Sequence, residues 1–98
     1  MTLAEFKSTL MQETPPEGLS VPLQSLWWAE KGEWARAHAL VNEAEGRNEA
    51  WVHAHLHRVE GDLMNARYWY AEAGRTLSDR PLAAERDEIA RTLLAGEN

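Results

Sequence analysis

The sequence predicts an all-α fold of about six helices in a single domain. Ala, Leu, Glu and Arg dominate its 98 residues, and β-branched side chains are scarce. No stretch alternates apolar with polar residues over the length of a strand. Glycines and prolines divide the chain into segments with helical periodicity. A chain of this length has room for one hydrophobic core, so a second domain is not expected.

The N-terminal segment predicts a helix over residues 3–13. Thr2 and Glu5 have the spacing of a capping box, in which the hydroxyl and the carboxylate each bond to a free backbone N–H. Two prolines and a glycine end this helix, because proline lacks an N–H and restricts the residue before it. Residues 14–20 should therefore form a connector.

The next four segments predict two helical hairpins, at residues 21–45 and 49–74. Gly32 and Gly61 can each adopt the left-handed conformation that closes one helix before the next begins. Asn48 is the expected N-cap of the second hairpin. The four helices are expected at 21–31, 33–45, 49–60 and 63–73.

A sixth helix is expected at residues 81–95, with a proline in its first turn. Tyr68 cannot share the core stripe of Tyr70, because successive residues of a helix point about 100° apart. We expect the sixth helix to cap the hairpins and to cover Tyr68 with its apolar residues Leu82, Ile89 and Leu93.

An internal repeat relates the two hairpins. When the sequence is aligned with itself so that Gly32 matches Gly61, the residues that follow the two glycines also match. Large residues align with large ones and alanines with alanines, at the same spacing in both copies. The matched residues are Trp34, Ala37, Val41 and Ala44 in the first copy, and Leu63, Ala66, Tyr70 and Ala73 in the second. Each set forms one stripe of a helix, and its alanines allow close approach of a partner helix. The sequence therefore predicts two hairpins that bury a continuous core only when stacked.

The repeat resembles the tetratricopeptide superfamily and, within it, the Sel1-like repeats. The second copy matches the end of a Sel1-like repeat at Asp62, Ala66, Trp69, Tyr70, Ala73 and Gly74. The resemblance covers residues 20–75, with a repeat shorter than the tetratricopeptide unit of about 34 residues. It implies a short right-handed superhelix of stacked hairpins that serves as a protein-interaction scaffold without catalytic residues.

The resemblance implies a partner-binding groove on the first helix of the second hairpin. Alignment on Gly61 places Asn48, Trp51, His55 and Arg58 on that face. The last three also stand at i, i+4 and i+7, so an aromatic ring, an imidazole and a guanidinium share one stripe, which suits an acidic peptide or a carboxylate. The alternative is that the tryptophan packs against the preceding hairpin and the arginine pairs with a nearby glutamate.

A second stripe of the same helix carries His53, His57 and Glu60. At this spacing two imidazoles and a carboxylate can hold a divalent ion, and only His38 on another helix offers a further imidazole. The alternative is that the histidines fill the hairpin interface as neutral, hydrogen-bonded side chains. With Tyr68, the same stripe could also form the acid–base cluster of a small hydrolase, although known enzyme motifs are absent.

Charge and composition narrow the expected partners. The 10 basic and 16 acidic residues give a net charge of -6, which disfavours nucleic acids and anionic membranes. Cysteine is absent, which excludes disulfides and thiolate metal sites and fits a reducing compartment. We expect a cytoplasmic module that binds a protein or peptide partner without a cofactor, a metal or catalysis. Flanking helices or a homodimer would complete the burial that two repeats lack.

Overall fold

The computed structural model describes residues 1–96, and these residues form an all-helical structure. Its α-helices are α1 (Leu3–Ser8), α2 (Val21–Glu30), α3 (Trp34–Val41), α4 (Arg47–Val59), α5 (Leu63–Glu72) and α6 (Leu82–Gly96), and a short 3-10 helix (Thr9–Met11) follows α1. The predicted all-α fold of about six helices is confirmed. No helix within the described residues is both long and apolar enough to cross a membrane.

The residues that define the repeat lie where the hairpins turn and pack. α2 packs mainly against α3, and α4 packs mainly against α5. Gly32 and Gly61 have φ angles of +78° and +84°, which lie in the left-handed region that glycine adopts without strain. Ala37 and Ala66 are both 0% exposed. Small side chains at these two positions therefore let the helices of each hairpin approach closely.

The connector between the hairpins is longer than the sequence predicts. α3 ends at Val41 rather than at residue 45, so Ala44 lies outside any helix and the repeat does not extend to it. The N-cap of α4 is Gly46, with φ +124°, and the prediction of Asn48 as the cap is wrong. Residues 42–46 carry two glutamates and no large apolar side chain, so no burial supports a further helical turn there.

The N-terminal helix is also shorter than predicted, although its cap is confirmed. The backbone N–H of Thr2 donates to Glu5 Oε1 at 2.8 Å, and the N–H of Glu5 donates to Thr2 Oγ1 at 3.1 Å. α1 ends at Ser8 and is followed by the 3-10 turn. Met11 is 93% exposed, so packing against the core does not extend the helix to residue 13.

The C-terminal helix covers a different surface from the one predicted. α6 packs against α4, α2 and α1, where Ile89 and Leu93 join the core. Tyr68 on α5 is 56% exposed, so the expectation that α6 covers this ring is wrong. Large buried side chains from several helices meet in the shared core, among them Phe6, Leu23, Leu26, Trp27, Leu56, Tyr70 and Ile89.

Candidate functional site

The stripe predicted as a partner-binding groove lies largely beneath α6 and the segment 75–80. Asn48 is exposed, but Trp51 is 3% exposed, His55 is fully buried and Arg58 is half-buried. The guanidinium of Arg75 lies 3.3 Å from the centre of the Trp51 ring and covers it. α4 therefore does bring the three side chains onto one face, as its periodicity predicts, but His55 is internal and Trp51 borders solvent only through an open cleft of about 490 Å³ that residues 74–80 also line. A partner-binding role for these residues stays a prediction.

Glu85 of α6 contacts two of the side chains on this face, His55 and Arg58. Its Oε1 lies 2.7 Å from His55 Nδ1 and accepts a hydrogen bond of 2.8 Å from Arg58, while its Oε2 accepts one from the hydroxyl of Tyr70. Burial raises the pKa of Glu85, but the hydrogen bonds from His55, Tyr70 and Arg58 outweigh it and lower the pKa. Burial, followed by the carboxylate of Glu85, raises the pKa of Tyr70. Glu85 is therefore a buried carboxylate with partners on α4 and α5.

Sequence reasoning missed Glu85, although a signal was present. Leu82, Glu85, Ile89 and Leu93 follow one another at spacings of three and four, so a carboxylate interrupts the apolar stripe of α6. A charged residue on a core-facing stripe needs a buried partner, because an unpaired charge is costly to desolvate. The partners lie on two other helices, which the sequence alone does not bring together.

Three histidines form a cluster where α3, α4 and α5 meet, and we call His38, His53 and His57 the imidazole cluster. One ligand nitrogen from each ring lies within 4.8 Å of the others. The Nε2 atoms of His38 and His53 are 3.2 Å apart. Nδ1 of His57 lies 2.5 Å from Oε1 of Glu60. The structure thus brings together the predicted stripe of His53, His57 and Glu60 and adds His38 to it.

Two tryptophans hold the rings of the imidazole cluster in place. Trp34 stacks on His38 with a centroid distance of 4.6 Å and an interplanar angle of 11°. Trp69 stacks on His53 at 4.0 Å and 20°. The histidines do fill the hairpin interface, as one of the two interpretations from the sequence requires. The indole rings flank the cluster and restrict the rotation of its imidazoles.

Two rings of the imidazole cluster are neutral at physiological pH. Burial and the neighbouring His57 and His38 lower the pKa of His53 to about 4. Burial is also the main reason that the pKa of His38 is lowered. Nδ1 of His53 has no hydrogen-bond partner among residues 1–96. His38 and His53 therefore each offer a nitrogen lone pair at pH 7.

Tyr68 is not part of this cluster. Its ring lies against Trp69, with centroids 5.0 Å apart and planes at 87°, and no hydrogen bond or ring contact within the described residues joins it to His53, His57 or Glu60. The acid–base set that the sequence suggests for a hydrolase is therefore not assembled as a unit.

Tyr68 instead lines an open cleft between the α3–α4 connector and α5, which we call the acidic cleft. Its volume is about 490 Å³. Its lining residues are Asn42, Glu43, Ala44, Glu45, Gly46, Arg47, Ala50, Tyr68, Trp69 and Glu72. The two aromatic rings form one corner of the cleft, and exposed carboxylates lie along its other edges.

The acidic cleft carries unpaired negative charge. Glu43, Glu45 and Glu72 take part in none of the ion pairs formed by residues 1–96. Against these three carboxylates the lining offers one guanidinium, that of Arg47, which leaves a formal charge of -2 (3 negative minus 1 positive). Sequence reasoning missed the cleft because it assigned residues 42–45 to a helix.

Comparisons of the chain with protein-family models, with curated proteins and with solved structures found no match.

Proposed function

We propose that this protein is a helical interaction module that binds a partner segment through arginine or lysine side chains in the acidic cleft. The single observation that carries this proposal is the exposed Tyr68 ring beside three carboxylates that have no ion-pair partner among residues 1–96. The tetratricopeptide and Sel1-like resemblance supports the same class of function, a scaffold for protein contacts, but at a different surface from the groove that it implies.

The chemistry of the cleft favours a basic partner. A guanidinium or ammonium group over an aromatic face contributes about 0.5–2 kcal/mol, depending on its desolvation. Carboxylates at the rim add Coulomb attraction and accept charge-assisted hydrogen bonds. The combination of Tyr68, Trp69 and Glu72 on one helix can therefore hold a cation from two sides.

The protein already uses its own arginines in this way elsewhere. The guanidinium of Arg36 lies 4.6 Å from the ring centre of Trp28, and that of Arg75 lies 3.3 Å from that of Trp51. No cation lies over Tyr68 or Trp69 within residues 1–96. A cationic side chain of the partner would bind against these two rings. The net charge of -6 also steers a basic segment toward the surface.

The test uses two capped peptides that differ only in charge. One carries two arginines in a neutral background, and the other carries glutamates at the same places. We expect amide NMR signals of the lining residues to shift with the arginine peptide only. We expect Tyr68→Ala combined with Glu72→Gln to weaken binding by about fivefold or more, equivalent to about 1 kcal/mol.

Met64→Ala is the matched control, because Met64 is exposed on the same helix but lies outside the cleft. It should leave the affinity unchanged. Shifts centred on Asn48 and Arg58 with the glutamate peptide would instead support the groove predicted from the sequence. That result, or no shift with either peptide, would overturn the proposal for the acidic cleft.

A further inference from the structure

We propose that the imidazole cluster of His38, His53 and His57 is a binding site for one divalent transition-metal ion, of which Zn²⁺ is the best fit. This inference goes beyond the proposed function, because none of the three histidines lines the acidic cleft, and Trp69 is the side chain that contacts both. Peptide binding and metal binding can therefore fail or succeed separately.

The first support is the distance between His38 and His53. Zn²⁺ binds imidazole nitrogen at about 2.0–2.1 Å, so two ligands of a tetrahedral ion lie about 3.4 Å apart. The Nε2 atoms of His38 and His53 are separated by 3.2 Å, close to that spacing. His57 offers a ligand nitrogen within 4.8 Å of the other two, but its ring is stacked on that of His53 with centroids 4.8 Å apart and planes at 27°, so ion binding has to rotate this third ring as well as draw it inward.

The second support is the chemistry of the donor groups. The Nε2 atoms of His38 and His53 lie 3.2 Å apart, so they cannot both carry a proton and at least one of them presents a lone pair. A metal ion needs such a lone pair, and a protonated histidine has none. Three imidazole ligands and no thiolate are a donor set that suits zinc, copper or nickel better than magnesium or calcium.

The third support is the way the surroundings fix the rings. Nδ1 of His57 donates its proton to Glu60 Oε1, which leaves Nε2 of that ring for the ion, an arrangement common among metal-binding histidines. Trp34 and Trp69 stack on the other two rings. Glu60 is therefore a positioning residue for His57. Three protein ligands leave one position of a tetrahedral ion open to water or to another donor.

The packing of the cluster alone leaves one of its polar groups unsatisfied. Nδ1 of the buried His53 has no hydrogen-bond partner within residues 1–96, and the contact between His38 and His53 can hold only one proton between two nitrogens. Buried polar groups that lack partners cost free energy. An ion held by the Nε2 atoms of His38 and His53 would replace their mutual contact, because both lone pairs would then be used, although Nδ1 of His53 would still lack a partner within residues 1–96.

A second set of possible ligands lies nearby but is less suitable. Asp62 and Glu60 have ligand oxygens close to His57. Both oxygens of Asp62 already accept hydrogen bonds from Asn65, one from its backbone N–H at 3.2 Å and one from its side chain at 2.7 Å. Asp62 is thus committed to capping α5, and the three histidines are the better ligand set.

Access for an ion is available from one side. His38 is half-buried rather than enclosed, and the Glu60 side chain is 38% exposed at the end of α4. An ion can reach the rings past these two side chains without the core opening. Since both groups are near the surface, substituting either should leave the fold intact.

The test uses the full-length protein after treatment with a chelator. Zn²⁺ is titrated by calorimetry, and Co²⁺ serves as a visible-absorption probe of tetrahedral geometry. We expect saturation at one ion per chain and intense Co²⁺ bands. His38→Gln should abolish the bands, and Glu60→Gln should weaken Zn²⁺ binding by about tenfold. Glu88→Gln on α6 is the matched control and should change nothing, because its carboxylate pairs with Arg80 at the surface.

The four histidines provide an internal control that needs no substitution. On adding Zn²⁺, the imidazole NMR signals of His38, His53 and His57 should all change, whereas that of His55, which bonds to Glu85, should not. Circular dichroism checks that each variant is folded. The proposal is overturned if Zn²⁺ does not saturate, or if only His57 responds, which would indicate loose binding at the exposed carboxylates.

Discussion

His55 of α4 and Glu85 of α6 lie thirty residues apart in the chain and form a buried pair, with Nδ1 and Oε1 separated by 2.7 Å. The two side chains are 0% and 1% exposed. This contact joins the second hairpin to the C-terminal helix, and it explains why one polar face of α4 is internal. Other faces of α4 and α5 contact the imidazole cluster and line the acidic cleft.

The first prediction concerns the contribution of Glu85 to the free energy of unfolding. Glu85→Ala removes the acceptor for His55, Arg58 and Tyr70 and leaves their donors unpaired. We expect a loss of about 3 kcal/mol or more. Glu88→Ala, which breaks only an exposed ion pair with Arg80, should cost about 1 kcal/mol or less. Urea titrations of both variants measure the difference, and equal losses would argue against the network.

A second prediction addresses the packing of the repeat. Ala66 lies on α5 and is fully buried in the hairpin that α5 forms with α4. Ala66→Leu should therefore overpack the hairpin and lower the free energy of unfolding by about 1–3 kcal/mol. Ala71 is exposed on the same helix, and Ala71→Leu should change stability by about 0.5 kcal/mol at most. Thermal melting compares the two. Should both melt like the wild type, Ala66 does not lie at a tight contact.

The turn of the second hairpin gives a third prediction. Gly61 has φ +84°, and an added methyl group would have no neighbouring atom within 4 Å, so Gly61→Ala tests backbone conformation rather than a steric clash. We expect a loss of about 1 kcal/mol from the left-handed strain. Gly96 lacks a positive φ, and Gly96→Ala should stay within about 0.5 kcal/mol of the wild type. Chemical denaturation measures both changes, and a neutral Gly61→Ala would contradict the turn geometry.

The fourth prediction is a pH dependence of the metal-free protein. His53 has a pKa of about 4 in the folded state and about 6.5 when unfolded, because burial and the neighbours His57 and His38 disfavour its charged form. The unfolded state therefore binds more protons between these values. His53 therefore does not lower the free energy of unfolding above about pH 6.5. As the pH falls from there to about 4, the free energy of unfolding decreases by at most about 3 kcal/mol.

His53→Phe provides the control for this pH dependence. A phenyl ring can keep the stacking on Trp69 but cannot titrate. Its free energy of unfolding should fall less steeply between pH 6.5 and 4 than that of the wild type, when both are measured by urea denaturation in the presence of a chelator. If the two slopes coincide, the buried imidazole does not set the acid sensitivity.

Local patterns in the sequence are enough to predict the six helices and the two hairpin turns, although not where α1 and α3 end. Thr2 and Asp62 cap their helices through side-chain bonds, and Gly32 and Gly61 adopt the conformation that their spacing predicts. Ala66 is buried where the periodicity places it. These features depend on interactions within one turn or between adjacent helices, so they can be predicted without knowledge of the rest of the fold.

The open surfaces and the contacts between distant side chains follow instead from how the helices pack. His38 reaches His53 across a helix boundary, the α3–α4 connector faces Tyr68, and Glu85 inserts between α4 and α5. The periodicity of a helix gives no information about how far its side chains lie from those of another helix. None of these contacts could therefore be predicted from periodicity. Glu85 holds α6 on the face that the sequence had assigned to a partner, because a desolvated carboxylate requires hydrogen-bond donors around it.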